Sequence, residues 1–235
     1  MGVKVLINHE VPVKNLEEAT FNDYGYALAH NLENESYREY FCQLVKTKPV
    51  YLDNSAFELG RSVPAEYLEE CCAVLDHNCK VFLPDVLGNA QETVALSQEF
   101  TQVIKGPCWG VIQGKDIEEQ SWCLKQMLKI TDSIALPYIS VDRPKFLEVN
   151  DAVLSRNGVQ IHLLGVRDMR ELVSIKQHPN IVSVDTSLPV VLGCFGETLT
   201  LDSPKNATPV WDIDVDKLPE QVYKNAEFFR SMVNG

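Results

Sequence analysis

Short runs rich in Val, Ile and Leu alternate along this chain with amphipathic segments of helical length, a pattern that predicts an α/β protein of the (β/α)8 TIM-like barrel class. Two further observations support that class. The 235 residues lie close to the roughly 250 of a typical barrel, and no linker, low-complexity tract or fixed-period repeat divides them, so residues 1–235 are expected to form a single domain. Several of the apolar runs also end in a carboxylate or an amide, and in parallel α/β folds the carboxyl ends of the strands hold the ligand.

Taken in order, strands are expected at Val3–Asn8, Val50–Asn54, Lys80–Pro84, Trp109–Gln113, Ser133–Pro137, Gln160–Gly165 and Ile181–Asp185. The helices between and after them are expected at Ser36–Lys46, Pro64–Asn78, Ala90–Ile104, Ile117–Ile130, Pro144–Arg156, Met169–His178 and Leu218–Val233. Helix starts at Ser36/Glu39, Asn89/Glu92, Asp116/Glu119 and Asp168/Glu171 have capping-box spacing, in which a short polar side chain satisfies an orphan backbone donor. The eighth strand leaves no comparable run, and Thr198–Leu201 is the candidate for it. The irregular stretches Glu10–Glu35 and Val190–Asp216 exceed ordinary loop length, so they are expected to serve function or to cover a substrate.

Composition narrows the function classes. With 33 acidic against 21 basic residues the net charge is −12, which argues against tight, non-specific binding to nucleic acid and confines any such contact to local patches. No run approaches the ~20 apolar residues of a membrane span, and no signal peptide opens the chain, so a cytoplasmic protein is expected. The seven cysteines scatter rather than form a disulfide framework. Only Cys71, Cys72 and Cys79 cluster, without the CxxC pairing that commonly grips zinc, so neither a metal nor a cofactor is expected.

The chemistry is expected at the strand ends. Val50-Tyr51-Leu52-Asp53-Asn54, Val81-Phe82-Leu83-Pro84-Asp85, Trp109-Gly110-Val111-Ile112-Gln113-Gly114 and Val182-Ser183-Val184-Asp185-Thr186 each close an apolar run with a polar group. Any single Asp there has the ordinary reading of a cap or turn former. Three converging carboxylates resist joint ionisation, however, and are costly unless a substrate uses them. Paired carboxylates suit glycosidic chemistry, one at the anomeric carbon and one handling the leaving group's proton, while a Gln can read a base edge. These features alone leave a sugar hydrolase and a base exchanger equally open.

At these residues the sequence resembles the tRNA-guanine transglycosylase superfamily, and is most similar to its short phage members that insert 7-deazaguanines into DNA. Asp53-Asn54-Ser55-Ala56-Phe57 resembles the family's Asp-Ser-Gly-Gly-aromatic element, Leu83-Pro84-Asp85 its base-recognising strand, and Gly110-Val111-Ile112-Gln113-Gly114 its Gly-Ile-Val-Gln-Gly element. His162-Leu163-Leu164-Gly165-Val166 resembles Tyr-Leu-Met-Gly-Val, and Val184-Asp185-Thr186-Ser187-Leu188-Pro189 resembles Phe-Asp-Cys-Val-Leu-Pro. The resemblance implies Asp185 as nucleophile, Asp53 as general acid and base, and Asp85, Gln113 and Gly114 as purine readers. It further implies Phe57 and Leu164 as walls around the ring, with Asn54, Gly165, Leu136 and Pro137 lining the site.

Two departures steer the substrate. The family's Cys-x-Cys-x-x-Cys zinc motif and its distant His are missing, as are the zinc subdomain and RNA-binding domain of the full-size tRNA enzymes. Short phage enzymes share these absences, which makes DNA the expected polymer, tRNA the alternative, and a free base such as 7-cyano- or 7-aminomethyl-7-deazaguanine the second substrate. A phage-encoded protein would work in the cytoplasm of a bacterial host cell. Arg61, Lys115, Arg143 and Arg167 are expected in strand-following loops where they can hold phosphate, and Tyr24-Gly25-Tyr26 with His30 either stacks on extruded bases or packs the long loop. The competing readings are a queuine-type tRNA enzyme, a catalytically silent purine-binding or partner subunit, and a glycosidase or sugar-phosphate enzyme on the same fold.

Overall fold

In the computed structural model, which describes residues 4–104, 106–205, 210 and 213–235, the chain adopts the (β/α)8 barrel fold. Its strands are β1 (Leu6–His9), β2 (Gly25–Leu28), β3 (Val50–Asp53), β4 (Lys80–Phe82), β5 (Cys108–Val111), β6 (Ser133–Pro137), β7 (Gln160–Leu164) and β8 (Ile181–Thr186). They form one sheet in the order β1-β8-β7-β6-β5-β4-β3-β2. The helices are α1 (Glu35–Leu44), α2 (Ala56–Leu59), α3 (Ala65–Val74), α4 (Ala90–Val103), α5 (Ile117–Met127), α6 (Arg143–Asn157), α7 (Met169–Ile175), α8 (Leu188–Cys194) and α9 (Glu220–Asn234). None among the described residues is long and apolar enough to cross a membrane. Two compact units are distinguished, one of residues Met1–Asp23 with Leu163–Gly235, the other of Tyr24–His162.

In the Tyr24–His162 unit, β2 to β6 pair in parallel, and strand alternation sorts their side chains onto two faces. On one face Lys80 lies over the Trp109 ring, its ammonium donating to Ser133 Oγ at 2.8 Å. Beyond it Tyr24, Tyr51, Phe82, Trp109 and His162 pack ring against ring, with centroids 4.2 to 6.4 Å apart. Half-burial lowers the Lys80 pKa to about 8, because the ring and two neutral oxygen partners replace only part of the water it loses. Further toward the carboxyl ends, the same face carries Tyr26 and Asp53.

The missing strand is β2, inside the stretch expected to be irregular; Thr198–Leu201 is not a strand. Tyr24 is accordingly a core side chain rather than a loop residue. At Gly25 an added Cβ would stand 2.6 Å from Leu44 Cδ2 and 3.2 Å from Phe41 Cε1, so any larger residue would require the α1 side chains to shift. Two short 3-10 turns, Val13–Glu18 and Ala29–Glu33, fill half of the remaining stretch.

In the other unit β1 pairs in parallel with β8, Asn8 beside Asp185 and His9 beside Thr186. Helix α8, at the start of the second stretch expected to be irregular, packs on α9. A Cβ on Gly193 would meet the Val222 backbone at 2.6 Å, so this contact requires glycine. Asn225 staples the return of the chain: its Nδ2 donates to Pro189 O and Glu197 O, and its Oδ1 accepts from Leu199 N. Val190, Val191, Val210, Ile213, Leu218 and Val222 gather into the local core.

The expected caps hold at three helices. Asn89, Asp116 and Asp168 accept backbone N–H bonds at the starts of α4, α5 and α7. At α1 the cap is Asn34, which accepts from Tyr37 N, while Ser36 lies two residues further on and donates to Asn34 Oδ1. The expected start of β1 at Val3 lies outside the described residues, as do 206–209, 211 and 212 of the second irregular stretch.

Candidate active site

The residues expected to act together are found as two constellations, one in each unit. In the Tyr24–His162 unit, the wholly buried strand β3 delivers Asp53, and the chain then turns through Ser55 in the left-handed region (φ 60°, ψ 23°) before entering α2. That turn aims the Ser55 N–H at Asp53 Oδ1, 2.6 Å away, while Tyr26 Oη donates to Asp53 Oδ2 at 2.6 Å. Asn54 points to the next strand end. Its Nδ2 donates to Leu83 O at 2.7 Å and to Asp85 Oδ1 at 2.8 Å. Gln113 closes the other side, donating to Asp85 Oδ2 at 2.6 Å while its Oε1 accepts from Gly88 N. Ser62 fixes the backbone on both sides of the Asp85 Cα, bonding its N–H and its carbonyl oxygen.

Asp53 and Asp85 are thus almost fully buried carboxyls, each oxygen of which accepts one strong hydrogen bond. Burial raises the pKa of Asp53 well above the ordinary value, and the Glu58 and Asp85 charges add to it, against the pull of Tyr26 and the Ser55 N–H. Burial also raises Asp85, with the two amides opposing. A carboxyl held in this way keeps its proton to higher pH than an exposed one, a tendency that suits a general acid.

Both ends of the Gln113 amide are engaged within the protein, the nitrogen donating to Asp85 and the oxygen accepting the Gly88 N–H. Gly114 follows it at φ 153°, where a Cβ would stand 2.8 Å from the Gln120 backbone nitrogen. Phe57 on α2 is 45% exposed, whereas Leu136 and Pro137 are buried at the end of β6. Arg143 is not a loop residue. It opens α6 fully buried, its guanidinium donating to Leu136 O and lying 5.3 Å from the Tyr138 ring, so it is no surface grip for phosphate. Arg61 and Lys115 are exposed and Arg167 half-exposed.

The second constellation belongs to the other unit. Asp185, on β8, is 1% exposed and receives the Gly165 N–H on both carboxylate oxygens, at 3.0 and 3.1 Å. Gly165 holds that position with φ 68°, directly after Leu164 at the end of β7. Thr186 Oγ1 donates to Val166 O and accepts from Leu188 N, locking the turn into α8. Asn8, paired in register with Asp185 and also buried, projects to the same face of the ladder.

Asn8 escaped sequence reasoning because it lies on β1 without a charge to mark it, and the sequence assigns Tyr26 only to base stacking or loop packing because it does not reveal strand β2. Among the described residues no group of three or more His, Cys, Asp or Glu side chains is arranged to hold a metal. An open depression of about 430 Å³, lined by Gly106–Cys108 and Leu128–Asp132, lies at the amino ends of β5 and β6, away from the carboxyls.

No family model and no curated protein matches the chain. Among solved structures it resembles the carboxyl transferase domain of Rhizobium etli pyruvate carboxylase with pyruvate, at 12% identity and a TM-score of 0.52, over 99% of this chain and 47% of that one. It also resembles a 4-hydroxy-2-oxoglutarate aldolase/2-deydro-3-deoxyphosphogluconate aldolase from TTHB1, at 14% identity and a TM-score of 0.49, over 97% of this chain and 92% of that one. At such identities the likeness to the carboxyl transferase domain speaks for the fold alone.

Proposed function

We propose that the chain is an enzyme that exchanges guanine for a 7-deazaguanine base in nucleic acid, with DNA the preferred polymer. The observation that carries this reading is the pair of buried carboxyls at neighbouring strand ends, Asp53 and Asp85, the latter clamped by two amides. Asp85 is suited to a purine's adjacent N–H donors, because each of its oxygens still offers a lone pair after accepting its amide bond. Asp53 is suited to moving a proton, and the exposed Phe57 ring to stacking on a base.

The reaction runs in two displacements. The Asp185 carboxylate attacks the sugar C1′, the glycosidic C–N bond breaks, and its electron pair leaves with guanine as Asp53 supplies a proton. The incoming base then gives a proton to Asp53 and attacks C1′, releasing Asp185. Pulling a base from the duplex costs a few kcal/mol, which stacking and hydrogen bonds in the site must return.

The test is incubation with duplex DNA or tRNA and 7-cyano- or 7-aminomethyl-7-deazaguanine, followed by nucleoside mass analysis. Wild type should incorporate the base, in DNA in preference to tRNA. Asp185→Asn should retain base binding but lose exchange by several orders of magnitude, together with the covalent adduct seen after denaturing electrophoresis. Preferential incorporation into tRNA would transfer the reading to that polymer. Undiminished exchange in Asp185→Asn would remove the nucleophile assignment.

A further inference from the structure

Asp53 meets an unusual set of groups for a buried carboxyl. On its own turn Ser55 donates a backbone N–H to Oδ1, from β2 Tyr26 donates its phenol to Oδ2, and no cation faces it among the groups that shift its titration. The charged groups that do face it, Glu58 from α2 and Asp85 from beyond β4, are acidic and favour the protonated form. Among the described residues, the phenol is the side chain that hydrogen-bonds Asp53 and favours its ionised carboxylate. Its aim is fixed by the backbone. Tyr26 pairs with Tyr51 and Leu28 with Asp53 in the β2–β3 ladder, so Tyr26 and Asp53 project to the same face, and the Tyr26 ring packs 5.7 Å from Phe82.

We infer that Tyr26 is the positioning residue of Asp53: its hydrogen bond orients the carboxyl and favours its ionised form. The inference rests on the reading of Asp53 as the proton carrier in base exchange. With the phenol in place, Asp53 can release its proton to one base and recover it from the next. Without the phenol the carboxyl keeps its proton to higher pH and rotates more freely. Tyr26 retains its own proton throughout, so nothing is consumed.

Tyr26→Phe preserves the ring and its packing on Phe82 while deleting the donor. A hydrogen bond to a charged group contributes about 1.5 to 3 kcal/mol, so the limb of the pH–rate profile set by Asp53 should move toward alkaline pH by about one to two units. The KM for the incoming base should stay within about twofold, since Asp85 rather than Asp53 holds it.

A second measurement needs no activity. A carboxyl whose folded pKa is raised costs stability progressively as pH rises from its unfolded value to its folded value, and deleting the phenol extends that loss upward. The stability difference between wild type and Tyr26→Phe should therefore grow with pH through the wild-type pKa of Asp53. In an Asp53→Asn background the same substitution should have a pH-independent effect. An equal loss at every pH in both backgrounds, or an unmoved rate profile in an active Tyr26→Phe enzyme, would overturn the inference. A wild type that exchanges no base would instead fail the proposed function, while the stability pair would still decide what Tyr26 does to Asp53.

Discussion

At the scale of single residues, the site joins backbone strain to electrostatic placement. Ser55 adopts the left-handed conformation that L-residues with a Cβ visit at a cost of roughly 1 to 2 kcal/mol, and it does so where its N–H must reach Asp53 Oδ1. Its hydroxyl gives something back by accepting the His30 N–H at 3.3 Å. Comparing two truncations separates the contributions, since Ser55→Ala and Ser55→Gly both lose the hydroxyl but only the second loses the Cβ. Ser55→Gly is expected to be more stable than Ser55→Ala by about 1 kcal/mol in denaturant unfolding. Equal midpoints would show that the turn carries no such strain. Asp53, Asp85, Gln113 and Asp185 were legible because each closes an apolar run. The clamp was not, since nothing in the order of residues reveals that Asn54 and Gln113 spend their amides on Asp85.

At the scale of elements, sequence reasoning succeeded where hydrophobic runs were long and failed where tertiary contact decides. β6 lies where its run predicts it, at Ser133–Pro137. β2 was hidden because it begins with Gly25, a residue poorly represented in strands, and lacks the Val, Ile and Leu run that marks its neighbours. The glycine is there for the helix above it, through the contacts with Leu44, Phe41 and Val50 that a Cβ would violate. Gly25→Ala should therefore destabilise the protein by about 1 to 3 kcal/mol through overpacking, read as a lowered denaturant midpoint. If stability is unchanged, α1 can withdraw without loss and the close approach is not needed. The cap of α1 was misplaced for a related reason. Ser36 and Glu39 have the spacing of a capping box, but Asn34 two residues earlier takes the role and engages Ser36 as well. Helix α8 was missed because its buried run, Leu188–Cys194, is all apolar and shows no helical periodicity.

At the scale of the whole molecule, buried titratable groups of opposite tendency shape the response to pH. Asp53 and Asp85, raised by burial, withdraw stability as pH rises through the range between their unfolded and folded values. His9 acts in the other direction. It is 1% exposed at the end of β1, edge-on to Phe21 and Phe229, and neither ring nitrogen has a hydrogen-bond partner among the described residues. Burial is the main cause of a pKa lowered to about 3; the Arg230 charge lowers it further, and Asp23, itself bonded to Arg230, pulls weakly upward. Since the native state refuses a proton that the unfolded chain accepts near pH 6.5, stability is lost as pH falls from about 6.5 toward about 3, and His9 has no pH-dependent effect above that range. Over the full window the loss is on the order of a few kcal/mol, a large part of a typical net stability. His9→Phe keeps the edge-to-face packing, removes two unpartnered nitrogens and abolishes the titration. The variant should equal or exceed wild type in thermal stability at pH 7.5, and its advantage should widen steadily between pH 6.5 and pH 4. A constant difference across that range would mean that the native protein protonates His9 as readily as the unfolded chain does. The acid limb would then belong to the carboxylates that hold cations at the surface, such as Asp168 with Lys205.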